Sequence, residues 1–243
     1  FWLAIQKKNF ALAKYLSRFI SKPAHKRESE LFWTVKDKPT LIENAALLKS
    51  KIPQHGIIAA YAIRQIARKD INKAANLWLR DRERLTFSQA ITDKTNTYFG
   101  MRYAKGYRSN AVQMLAKLDP NYSYGKLTEW RIRLALAKQD WKDTLTLIDK
   151  LPADLKNEGR WVYWKESATH RLNPTNYQAN YSAVAKERSF YGFLASEISN
   201  NPFYLNHRPS DITAGHKSKL SELAAFQRMK ELLALDYQYA ARV

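Results

Sequence analysis

Cysteine is absent from the 243 residues. That excludes disulfides and thiolate metal sites, and it suits the bacterial periplasm or the cytosol equally. Glycine (7 residues) and proline (8 residues) are scarce, too few for the many turns of an all-β protein. Long apolar runs are missing too: the longest, "IIAAYAI" at 57–63, falls far short of a membrane span. Acidic residues number 22 against 41 Lys and Arg, so the net charge is +19. Such a field attracts polyanions, whether nucleic acid, anionic lipid or an acidic wall polymer. The basic residues are scattered, with pairs such as KK, KR and RK but no long run, so no basic tail or localisation patch appears. What remains is abundant alanine, leucine and long polar helix formers, with 45% hydrophobic and 13% aromatic residues. This composition predicts an all-α globular chain.

A loose repeat organises it. "LAIQKKNFALAKYL" (3–16) and "LALAKQDWKDTLTL" (134–147) share a design: a helix, a polar junction residue, a bulky residue, then a second helix. The junction recurs as Asn9-Phe10, Asp70-Ile71, Gly106-Tyr107 and Asp140-Trp141, with weaker copies at Asp37 and Asn173. Those positions lie 28, 33, 36, 34 and 33 residues apart, the period of helix–turn–helix solenoids. Asp, Asn or Gly at each junction is expected to end one helix and cap the next, with the bulky residue inserted between them. Pro23, Pro53, Pro120 and Pro152 are expected to close second helices. The consensus tetratricopeptide pattern does not fit, because its glycine is usually missing. The expectation is a right-handed α-superhelix with an irregular repeat over residues 1–205. An irregular stretch, "SNNPFYLNHRPSDITAGHKSK" (199–219), then leads to a helix of a second domain within 206–243. The chain opens on Phe in mid-helix pattern and stops while still helical, as a piece of a longer protein would.

Catalytic chemistry finds little support. No phosphate-binding or dinucleotide glycine loop and no nucleophile elbow is present. His25, His55, His170, His207 and His216 are far apart and none stands in an H-E-x-x-H motif, while His207 and His216 fall in the irregular stretch and read as surface loop histidines, so no metal or cofactor site is expected. Glu28/Glu30, Asp81/Glu83 and Asp149/Asp154 sit in polar helix ends, where caps and ion pairs are their expected roles. The aromatics say more. "RWVYW" (160–164) and "SFYGF" (189–193) place Trp161/Trp164 and Phe190/Phe193 at i,i+3 spacing, each pair on one helix face. Core filling between successive helices is their expected role, with Gly192 as a close-packing position. A stacking platform for sugars or bases is the alternative.

These residues also carry a resemblance. "WVYWKES", then "ERSFYGFLAS", then "NPFYLNH" resembles the C-terminal part of the superhelical domain of soluble lytic murein transglycosylases. The matching positions are Trp161, Tyr163, Trp164, Arg188, Phe190, Tyr191, Gly192, Phe193, Leu194 and Ala195. "ELAAFQRMKELLALD" (222–236) is similar to the first helix of the family's linker domain, through Arg228, Glu231 and Leu232. The resemblance runs over roughly residues 60–243 and is specific from 130 onward. It implies a periplasmic bacterial enzyme that cleaves the β-1,4 bond between N-acetylmuramic acid and N-acetylglucosamine. The muramyl 6-hydroxyl attacks, leaving a 1,6-anhydro end, and one glutamic acid acts as acid and then base. In the family that Glu begins an E-S motif followed by G-L-M-Q and A-Y-N-A-G. Glu166-Ser167 lacks both followers and lies in the superhelix, so no catalytic residue is assigned.

The resemblance therefore implies a non-catalytic scaffold, inactive alone. Its partners would be peptidoglycan strands and other cell-wall enzymes, with no nucleic acid and no transmembrane segment. The competing reading is a basic α-solenoid adaptor that binds protein or nucleic acid on its concave face.

Overall fold

The computed structural model describes residues 1–242, and among them there is no strand. The α-helices are α1 (Trp2–Gln6), α2 (Phe10–Ser17), α3 (Pro23–Asp37), α4 (Pro53–Ile66), α5 (Ile71–Arg82), α6 (Gln89–Lys105) and α7 (Ala111–Leu118). They continue as α8 (Gly125–Ala137), α9 (Trp141–Asp149), α10 (Ala153–Lys156), α11 (Gly159–Leu172), α12 (Phe190–Ile198), α13 (Ala214–Glu222) and α14 (Ala224–Ala234). Two compact units result, Phe1–Val184 and the part from Ala185 onward. The division falls upstream of the irregular stretch, so α12 groups with the C-terminal segment.

The first unit is a stack of helix pairs, the all-α superhelical arrangement that the repeat predicts. Three junctions behave as their chemistry requires. Asn9 accepts the Leu12 N–H at 3.1 Å, Asp70 that of Lys73 at 2.9 Å and Asp140 that of Asp143 at 2.9 Å, each capping the second helix of a pair. The preceding helix ends without glycine. Lys8 and Gln139 take up the left-handed conformation (φ 60° and 58°), and the next N–H returns to the carbonyl five residues back, Asn9 to Ala4 and Asp140 to Ala135.

The other junctions differ from expectation. Gly106 ends α6, but the left-handed residue is Tyr107, which is exposed, and α7 starts only at Ala111. Asp37 is the last residue of α3, and Pro39 opens a pair of 3₁₀ turns (Pro39–Glu43 and Ala45–Leu47) in place of a second helix. Asn173 ends α11 with no helix following directly. Pro23 and Pro53 do not close helices; each occupies the first turn of one, where its missing N–H costs nothing.

The core of this unit runs continuously from Ala4 to Leu134, with Phe32, Ile58, Ile63, Trp78, Phe99, Tyr103, Leu115 and Leu127 among its buried members. Two glycines allow close approach: a Cβ on Gly56 would meet the Thr86 carbonyl oxygen at 2.0 Å, and one on Gly100 the Leu127 side chain at 2.7 Å. Polar bridges cross between pairs. Trp78 Nε1 donates to Asn96 Oδ1 (2.8 Å), Asn96 Nδ2 to the Tyr124 hydroxyl (3.3 Å), and that hydroxyl to Asp93 (2.7 Å). No helix among the described residues is long and apolar enough to cross a membrane.

Candidate functional site

The aromatic signature is divided between the two units. In the first, α11 presents Trp161 and Tyr163 to different neighbours. Trp161 is 2% exposed and packs with Ile132, Ala135, Leu147, Ile148 and Leu151, with Trp164 half-buried at the edge of that cluster. The guanidinium groups of Arg160 and Arg133 lie 5.1 and 5.5 Å from the Trp161 ring centre. Tyr163 stacks on Tyr181 at 5.1 Å and meets Trp164 edge-on at 5.4 Å. Core filling is thus the role of Trp161 and Tyr163.

In the second unit, Ser189 caps α12 by accepting the Gly192 N–H at 3.0 Å, and buried Ser196 donates to the Ala185 carbonyl at 3.0 Å. Gly192 is buried, and Tyr191 and Phe193 are half-buried, Phe193 edge-on to Phe203 at 5.7 Å. Arg188 is exposed, and Phe190 is 73% exposed. The expectation that Phe190 fills the core is therefore corrected. It is the first residue of α12, where its side chain projects ahead of the packed turns.

The acidic residues are engaged in structure. Glu166 accepts from the Tyr177 hydroxyl (2.7 Å) and the Asn180 N–H (2.8 Å), while His170 Nδ1 lies 2.7 Å from the Tyr177 carbonyl oxygen. Together they fasten the loop after α11 onto that helix. The bond to Glu166 raises the Tyr177 hydroxyl pKa above the usual tyrosine value. Asp149 pairs with Lys156 at 2.7 Å, which holds its carboxyl below the usual range.

Asp81 lies in the last turn of α5 and makes the ion pairs expected of it there, yet it is fully buried. It lies between Arg80 (2.9 Å) and Arg84 (3.0 Å), which also donate to the carbonyls of Ile42, Glu43 and Leu48. Those two arginines clamp the irregular segment after α3 onto α5. His55 is 3% exposed, with Nε2 paired to Glu28 and Nδ1 accepting the Lys49 N–H at 2.6 Å. Arg131 caps the end of α7 through the Leu115 and Asp119 carbonyls (2.7 and 2.6 Å). Burial lowers its pKa and raises that of Asp119.

The burial of these groups is not legible in the sequence, because groups that complete their bonding, such as the Ile42 and Leu48 carbonyls and the Glu28 carboxylate, come from distant segments. No group of three or more metal-ligating side chains occurs among the described residues.

No protein-family model and no curated protein matches the chain. Solved structures do. The chain is similar to an inactive mutant of the lytic transglycosylase Slt from Pseudomonas aeruginosa, with TM-score 0.74 and 27% identity over 99% of this chain and 39% of that one. The 70 kDa soluble lytic transglycosylase from Escherichia coli gives TM-score 0.70 at 17% identity, with the same coverage. The 70-kDa soluble lytic transglycosylase in complex with bulgecin A gives 0.69 at 17% identity. The chain therefore spans 39% of the length of the structures it matches. The likeness includes the first sixty residues, which the motif resemblance did not reach. Over its whole length the chain resembles a partial superhelical domain of soluble lytic transglycosylases.

Proposed function

We propose that this chain is the non-catalytic superhelical scaffold of a periplasmic peptidoglycan lytic transglycosylase. The observation that carries the reading is the match to Slt over 99% of the chain at 27% identity. The ordered motifs at 161–164 and 188–195 support it, as does the engagement of Glu166 in holding a loop. On this reading residues 1–205 belong to the superhelical domain, and 206–243 are the connection and first helix of a linker domain. The whole enzyme cleaves the bond between N-acetylmuramic acid and N-acetylglucosamine, giving 1,6-anhydromuropeptides. This stretch holds or guides murein strands beside the catalytic domain and cleaves nothing alone.

The test compares the 243-residue chain with the longer protein on purified murein sacculi, reading released products by mass spectrometry. Anhydromuropeptides from the longer protein alone are the expected result. Their absence from both digests would overturn the family reading and favour the basic adaptor. Their release by the short chain would return Glu166 to consideration as an acid.

A further inference from the structure

A concavity of about 1080 Å³ in the first unit runs along the face of α6 opposite its packed side. Asn96, Phe99, Gly100, Tyr103 and Ala104 turn into the core, with Gly100 against Leu127 and Tyr103 bonded to Asn72 at 2.6 Å. The groove face carries Lys94, the adjacent Thr97 and Tyr98, Met101 and Lys105, at steps of three or four residues otherwise, flanked by Arg102 and Arg108.

Lys94, Arg102, Lys105 and Arg108 are exposed, and among the described residues none is ion-paired with an acid. Arg108 rests over the Tyr103 ring at 5.6 Å. One carboxylate lines the groove, Asp93, and it is occupied by the Tyr124 hydroxyl and Gln89 Nε2, both at 2.7 Å. Unpaired cations occur elsewhere as well, since nine of the 41 Lys and Arg residues pair with acids among the described residues, as at Asp81, Glu129 and Asp149; what the α6 face adds is four of them gathered along one concavity.

Four unpaired cations over a partly apolar floor suit an extended anionic ligand with aliphatic parts. From Lys94 to Lys105 the helix rises about 16 Å, the reach of a polymer segment. Nucleic acid fits less well, because the groove offers one aromatic ring, Tyr98, already edge-on to Phe99 at 5.3 Å. Successive bases need successive stacking platforms.

We infer that the α6 groove docks the carboxylate-bearing peptide stems of the cell-wall strand, with Lys94, Arg102 and Lys105 as the contacting charges. The inference rests on the proposed function, since it names where that substrate is held. The test is co-sedimentation of the 243-residue chain with purified sacculi. A groove variant (Lys94→Glu, Arg102→Glu, Lys105→Glu) is compared with a control of equal charge change at exposed lysines on other helices or their flanks (Lys14→Glu, Lys22→Glu, Lys26→Glu).

Circular dichroism establishes that both variants fold. The groove variant is expected to bind about tenfold more weakly, and the control less than twofold. Sacculi whose carboxyl groups have been amidated should lose the same binding. Equal losses in the two variants, or undiminished binding to amidated sacculi, would overturn the groove while leaving murein binding intact. Failure of the unmodified chain to sediment with untreated sacculi would instead remove the murein-holding role, and the groove inference with it. A duplex DNA that binds the chain more tightly than sacculi do, and is lost in the groove variant, would make the groove a nucleic-acid surface.

Discussion

Helices α6 and α14 invert what their sequences advertise. Phe226, Met229, Leu232 and Leu233 give α14 a regular apolar spacing, yet it has no buried residue, and neither has α13. The sequence of α6 is mixed, but it buries six residues, Thr95 and Asn96 among them. Burial in the first unit follows from what is stacked on a helix rather than from the helix's own periodicity. Asn96 is accommodated because Trp78 and Tyr124 complete its hydrogen bonds.

Glycine substitutions break this comparison most directly. Helix propensity alone predicts that Gly56→Ala gains about 1 kcal/mol. The Thr86 carbonyl oxygen 2.0 Å from the new Cβ predicts the reverse. We expect a loss of about 3 kcal/mol, read as a lowered urea midpoint. A raised midpoint would mean that the α4 contact with the 85–88 turn yields freely. Gln139→Gly should act in the opposite sense. It relieves a left-handed non-glycine residue (φ 58°), and about 1 kcal/mol of added stability is expected in the same urea titration. A drop would show that the Gln139 side chain contributes more than its backbone costs.

The smallest effect belongs to Gly215→Ala in α13, where a Cβ meets only Thr213 Oγ1 at 3.7 Å. The midpoint should stay within about 0.5 kcal/mol of the parent, with slower amide exchange confined to α13. A global shift there would show that α13 contributes to the stability of the whole chain.

Legibility in the sequence follows the same division. Asn9, Asp70 and Asp140 were readable as caps because a cap needs only its own side chain and an N–H three residues on. The left-handed helix ends at Lys8, Tyr107 and Gln139 were not, since glycine is the usual marker and none stands there. Trp161 was readable as core from its i,i+3 partner and its place in a helix. Phe190 carries the same spacing signal, but a helix's first residue has no preceding turn to pack over. Asp81 has its arginines within three residues, but the Arg84 bond to Leu48 and the His55 pair with Glu28 join positions 36 and 27 residues apart, which no local pattern reveals. The α6 cations were counted in the +19 but not localised, because scattered basic pairs in sequence do not reveal which of them lack an acidic neighbour in space.

The bridge from Trp78 through Asn96 and Tyr124 to Asp93 has a consequence for how the molecule melts. A solenoid whose repeats meet only through apolar faces can fray one repeat at a time from an end. Here, withdrawing α8 would take away the Tyr124 hydroxyl and leave Asn96 short of a partner, and withdrawing α5 would take away the Trp78 donor. Either step exposes a polar deficit in a helix that has not itself moved. We expect α5, α6 and α8 to unfold as one cooperative block, a unit larger than the repeat from which the chain is built.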